Sequence, residues 1–170
     1  DDFPIPFRCN SFDIISGKEV VINKGSLSHA LRASLSIPTI FAPVDWGEAL
    51  LVDGGVANNL PVDIVKNMGA DIILAVDVST TNKSKANLKN IYDVIDQTIS
   101  VHGYEKKIKS IEQADFYIRP EIINISFTDY NPKTMQYLFN KGEEAVKNNF
   151  DIFLKLKNIT KDKSRKTKNI

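Results

Sequence analysis

The sequence predicts an α/β fold built on a mainly parallel sheet, and two observations carry that prediction. Residues Asp71 to Val78 (Asp-Ile-Ile-Leu-Ala-Val-Asp-Val) form a nearly unbroken apolar run, the pattern of a strand buried on both faces of a parallel sheet. Strand-like and helix-like segments also alternate along the chain, which argues helices layered on a sheet. A chain of 170 residues is long enough to bury a core, and 42% hydrophobic with 25% charged residues excludes a disordered or collagen-like chain.

Taken in order, Ile5 to Ile15 reads as a strand with imperfect alternation. Ser16-Gly17-Lys18 turns the chain into a short strand, Glu19 to Ile22. Ser26 stands as the N-cap of a helix to about Ser34, with Leu27, Ala30, Leu31 and Ser34 on one face. Pro38 ends that helix, and Pro43 keeps the following stretch irregular. Ala49-Leu50-Leu51-Val52 is a strand that breaks into a sharp loop at Asp53-Gly54-Gly55.

Pro61 suits the first turn of a helix to about Met68, stopped by Gly69. After the 71–78 strand comes a polar loop, 79–87, and then a long amphipathic helix from Leu88 to Gln113, which Gly103 bends or divides. Asp115 to Arg119 is a last strand, and a closing helix runs from Pro132 to about Lys157.

Charge is spread unevenly. Residues 155–170 hold seven basic groups and one acid, a charge of +6, and the remaining 154 residues carry −5. A mildly acidic body is not a nucleic-acid-binding surface, and the basic end reads as a solvated tail or linker. No apolar stretch approaches the ~20 residues that span a bilayer, and Asp1-Asp2 does not open a signal peptide. Cys9 is the single cysteine, so no internal disulfide forms. With only His29 and His102 beside it, no metal site is expected.

The chemistry concentrates in Leu51-Val52-Asp53-Gly54-Gly55-Val56-Ala57-Asn58-Asn59-Leu60-Pro61-Val62. A carboxylate at a strand's end lies where α/β sheets bind ligands and can take a proton from a neighbouring hydroxyl. The same pattern equally describes a tight turn in which Asp53 satisfies backbone N–H groups. Arg32, one helical turn after His29, is either a phosphate contact or part of a solvated helix face. Trp46 is either a lipid-facing rim residue or a cover for the edge of the core. Cys9 reads as a small buried hydrophobe. Asp45, Asp63, Asp71 and Asp77 read as caps or as partners of nearby lysines.

Further motifs bear on that choice. Ala30 to Pro38, Phe41-Ala42-Pro43-Val44, Leu51 to Gly55, Asn59-Leu60-Pro61-Val62 and Met68 to Asp77, in this order, resemble the bacterial patatin-like phospholipase family. The opening Phe3 to Arg8 with Gly17-Lys18, Ala114-Asp115 before a strand, and Gly142 to Ala145 are similar too, so the resemblance covers Phe3 to about Lys157. It implies a three-layer α/β/α fold and a lipid acyl hydrolase with a Ser–Asp dyad. Asp53 is then the dyad base, Gly54 and Gly55 shape its loop, and Asn59 is a supporting hydrogen-bond group.

The family's G-x-S-x-G nucleophile elbow and G-G-x-[RK]-G oxyanion loop do not occur in these 170 residues. Gly25-Ser26-Leu27-Ser28 is the nearest approach to the elbow, and it lacks the second glycine. The expectation is therefore the C-terminal portion of a patatin-like domain over residues 1–157, incomplete at its N-terminal side, with a Lys-rich tail or linker at 158–170. This segment alone is expected to be inactive. The resemblance implies no cofactor and a phospholipid or other acyl-lipid substrate, with peripheral membrane contact. Family members sit in the cytoplasm or at the outer membrane as secreted passengers, and both locations stay open. The contrasting expectation is a non-catalytic binding or assembly module derived from such a domain.

Overall fold

Asp13 organises the start of the sheet. In the computed structural model, which describes residues 3–79, 85–88, 90–123, 125 and 131–167, its carboxylate accepts the N–H groups of Ile15 (3.0 Å) and Ser16 (3.2 Å) and the Ser16 hydroxyl (2.5 Å). That side-chain turn joins strands β1 (Cys9–Asp13) and β2 (Lys18–Ile22) as an antiparallel hairpin. The same carboxylate accepts the Leu50 N–H at 3.0 Å, which ties in strand β4 (Ala49–Asp53). Led by the Ser16 hydroxyl and the Ile15 N–H, these donors hold the Asp13 carboxyl down to about 2.

Strand β3 (Val44–Trp46) precedes β4 and pairs with it antiparallel through a two-residue turn, Gly47-Glu48. Gly47 has φ +72°, the left-handed geometry such turns require. The sheet order is β2-β1-β4-β3, antiparallel throughout. Residues 44–46, expected to be irregular because of Pro43, are thus a strand: a proline at an edge strand's border removes no ladder hydrogen bond.

Helix α1 (Leu27–Ser34) covers this sheet with Ala30 and Ala33 buried. With Ile22, Val44 and Leu51 they form a core flanked by Cys9, Val20, Trp46 and Ala49. Small alanines let the helix approach closely, so Leu27 and Leu31, expected on the same face as Ala30, lie outside. There they line an open apolar groove of about 330 Å³ with Phe3, Ile5, Pro6 and Phe7. Ser26 is the N-cap as expected, but its hydroxyl bonds Ser28 (2.9 Å) and caps no helix N–H.

A 3-10 turn, Gly54–Val56, follows β4, then helix α2 (Val62–Asn67). The expected long helix is divided at Gly103 into α3 (Ile91–His102) and α4 (Tyr104–Gln113). Helix α3 packs against the 3-10 turn and α4 against α2. All of this belongs to one compact unit, Asp1–Ile73 with Asn82–Asp115.

A second unit comprises Leu74–Thr81 and Phe116–Ile170. Strands β5 (Leu74–Val76) and β6 (Phe116–Ile118) pair in parallel, so the apolar run does enter a parallel pair, although Val76 and Val78 are exposed. Asp77, buried, accepts the Tyr117 hydroxyl at 2.8 Å, and Arg119 lies 3.8 Å away. Helix α5 (Pro132–Asn148) is capped by Asn131, which accepts the Thr134 N–H, and is followed by α6 (Phe150–Thr167).

The α/β class therefore holds, with one difference in strand direction. Among the described residues only β5–β6 is parallel, because the first unit is assembled from hairpins. The stretch expected as a tail, 158–170, is helical as far as Thr167, and 168–170 lie outside the described residues. Most of the polar loop expected at 79–87 also lies outside them. Among the described residues no helix is long and apolar enough to cross a membrane.

Candidate functional site

Asp53 ends β4 and opens the Gly54–Val56 turn. Its backbone N–H donates to the Ser36 carbonyl (2.9 Å), and its carboxylate accepts the Gly55 N–H at 2.6 Å. Burial pushes the carboxyl above its ordinary value, and the Gly55 hydrogen bond offsets only part of that. A carboxyl raised in this way is a better proton acceptor near neutral pH than an exposed one. Its cross-strand neighbour on β1 is Ser11, whose buried hydroxyl has no hydrogen-bond partner.

Gly54 and Gly55 are small for different reasons. A Cβ on Gly54 would lie 2.5 Å from the backbone oxygen of Asn10, so the turn rests directly on β1. A Cβ on Gly55 would lie 2.9 Å from both the Asp53 carboxylate and the Asn59 side-chain oxygen. Asn59 itself is exposed at the lip of the turn, with its carboxamide beside Gly55.

The residue that fixes the turn is its neighbour. Asn58 is 3% exposed; its N–H donates to the Gly54 carbonyl (2.8 Å) and its carbonyl accepts from the Asn10 carboxamide (2.9 Å). Its side-chain nitrogen donates to Glu19 (2.8 Å) and to Asp63 (2.9 Å). Lys106 of α4 lies 2.6 Å from Glu19 and 3.5 Å from Asp63. Burial pushes Asp63 up, but the Asn58 carboxamide, the Lys106 charge and the Ile64 N–H outweigh it, and its carboxyl sits below the ordinary range. Nothing in the sequence separates Asn58 from Asn59, and Glu19 and Lys106 lie 39 and 48 positions away from Asn58. The only signal is a carboxylate, Glu19, opening a short strand next to two valines.

Arg32 is half-buried and folds back onto its own segment. It donates to the Ser36 hydroxyl and to the Ala42 carbonyl (3.0 Å) and lies 5.3 Å over Phe41. That clamp holds the segment whose Ser36 carbonyl receives Asp53, and within it Thr39 takes φ +75°, a strained conformation for a β-branched residue. Trp46 stacks on His29 at 4.8 Å and covers the core edge. Cys9 is half-buried, with its thiol pushed up by burial. Asp45 caps the Gly47 turn (3.1 Å). Among the described residues no group of three His, Cys, Asp or Glu side chains forms a metal site.

Asp53, its glycines, Asn58, Glu19 and Asp63 lie in one stretch of related sequence, and Lys106 lies beyond it. Residues 2–66 match the family model described as Patatin-like phospholipase. An uncharacterized NTE family protein of Mycobacterium tuberculosis is 41% identical over 81 residues, 48% of this chain and 14% of that protein. A second from the same organism is 34% identical over 86 residues, 51% of this chain and 24% of that protein. The protein named Lysophospholipase NTE1 of Debaryomyces hansenii is 37% identical over 82 residues, 48% of this chain and 5% of its own length. The chain thus spans a quarter or less of the length of these relatives.

Proposed function

We propose that this chain belongs to a lipid acyl hydrolase and is the C-terminal portion of its patatin-like domain, with Asp53 as the base of a Ser–Asp dyad. The observation that carries this reading is a half-buried carboxylate of raised pKa at a strand's end, in a D-G-G turn within the segment similar to patatin-like phospholipases. The nucleophile is a serine outside these 170 residues. As its oxygen attacks the ester carbonyl, Asp53 takes the hydroxyl proton, and the tetrahedral intermediate expels an alcohol that carries this proton away. Water, deprotonated by Asp53, then releases the fatty acid and regenerates the serine. The oxyanion donors are likewise supplied from outside this chain.

A second reading, a non-catalytic binding or assembly module, is favoured by one observation. Asp53 is already engaged as a turn cap through Gly55.

Asp53→Asn in the full-length protein separates the two. We expect kcat for ester hydrolysis to fall by about 10²- to 10⁴-fold, with labelling by a fluorophosphonate lost in parallel. A carboxyl whose folded pKa is raised binds its proton more tightly in the folded state, so its ionised form at neutral pH opposes folding. The variant is therefore expected to melt no lower than the parent at pH 7. Undiminished turnover would remove Asp53 from the mechanism, and absence of turnover and of fluorophosphonate labelling in the parent protein would leave the binding module.

A further inference from the structure

Resting on the hydrolase reading, we propose that Asn58 is the positioning residue of this site: it sets the geometry of the Asp53 loop by bridging two carboxylates that Lys106 neutralises only in part. Both backbone groups and both amide hydrogens of Asn58 are committed. The N–H closes the Gly54–Asn58 turn, the carbonyl is held by Asn10, and the two amide hydrogens reach Glu19 and Asp63. The same Glu19 oxygen also accepts from Asn10 (3.0 Å). The turn carrying Asp53 is thereby fastened to β1, β2, α2 and α4 at once.

The electrostatics make this an active constraint. Glu19 and Asp63 are two carboxylates facing one ammonium group, Lys106. Without a neutral double donor between them they repel, and a buried amide removed from such a network leaves acceptors unsatisfied. Asparagine supplies two N–H groups and no charge, which aspartate, leucine and serine do not. The pull is transmitted directly, because the backbone that Asn58 closes begins at Gly54, the residue after Asp53.

The test exchanges donor and acceptor in the full-length protein. Asn58→Asp removes both donors and adds a third carboxylate. Combining it with Glu19→Gln restores the net charge and lets the glutamine donate to the aspartate. For Asn58→Asp we expect kcat to fall by about 10- to 100-fold with KM little changed, as for a small misplacement of a catalytic group. We also expect faster hydrogen exchange in the peptide covering residues 53–59. In the double variant both kcat and protection return most of the way.

Unchanged exchange in Asn58→Asp overturns the proposal, and so does a double variant that recovers its melting temperature but not protection and kcat. Because exchange is read without substrate, it decides the role of Asn58 even if Asp53→Asn shows that the site is not a hydrolase. That second outcome overturns the catalytic reading alone.

Discussion

A methyl group on Gly54 would occupy the space of the Asn10 backbone, 2.5 Å from its oxygen and 2.7 Å from its carbonyl carbon. A flexible side chain would yield to it; a strand backbone hydrogen-bonded on both sides does not. Gly54→Ala is therefore expected to push the turn away from β1 and loosen the Asn10–Asn58 contact. An overpacked site of this kind costs about 1–3 kcal/mol, read as a lower urea midpoint with unchanged slope. Stability equal to the parent would show that the turn is not seated on β1. Asp53 and this glycine were both legible in the sequence, since D-G-G after an apolar run marks a sharp turn carrying a carboxylate. Asn58 was not, because what distinguishes it from Asn59 is burial under groups from β1, β2, α2 and α4.

At the level of elements, local signals placed most boundaries. Gly103 divides the long helix and Pro61 opens α2, both readable from one residue's backbone chemistry. Strand direction was not readable. The run ending at Asp53 carries no mark of whether its neighbour is parallel, and Asp13, whose carboxylate ties β1 to β4 through Leu50, is 37 positions away in sequence.

Helix α3 opens on a local signal of its own. Asn90 accepts the Asp93 N–H (2.9 Å) and Asp93 accepts the Asn90 N–H (3.2 Å), a reciprocal cap with aspartate in place of the usual glutamate. Asn90→Ala is expected to cost about 1 kcal/mol and to raise hydrogen exchange in the first turn of α3, while α4, which starts anew at Gly103, keeps its protection. Equal loosening of α4 would mean that the two helices form as one.

At the scale of the whole molecule the two units respond to opposite ends of the pH range. In the first, Asp13 is held down to about 2 and Asp63 is lowered. A depressed carboxyl contributes stability that is complete above its unfolded value near 4 and is lost as pH falls through the folded one. In the second unit, burial and the hydrogen bond to Asp77 push Tyr117 up to about 12. The unfolded phenol ionises first, near 10, so stability falls between about pH 10 and 12.

The molecule supplies its own probes. Trp46 is the single tryptophan and sits against the core of the first unit, so its fluorescence follows that unit. Tyrosinate absorbance follows the tyrosines as they ionise. We expect an acid transition in Trp46 fluorescence between about pH 4 and 2, which Asp13→Asn moves to higher pH while reducing stability at neutrality. We expect an alkaline loss of structure that Tyr117→Phe delays and that Asp13→Asn leaves in place. An alkaline transition that responds to Asp13→Asn and not to Tyr117→Phe would show that the alkaline limit is set within the first unit and not by the Tyr117–Asp77 pair.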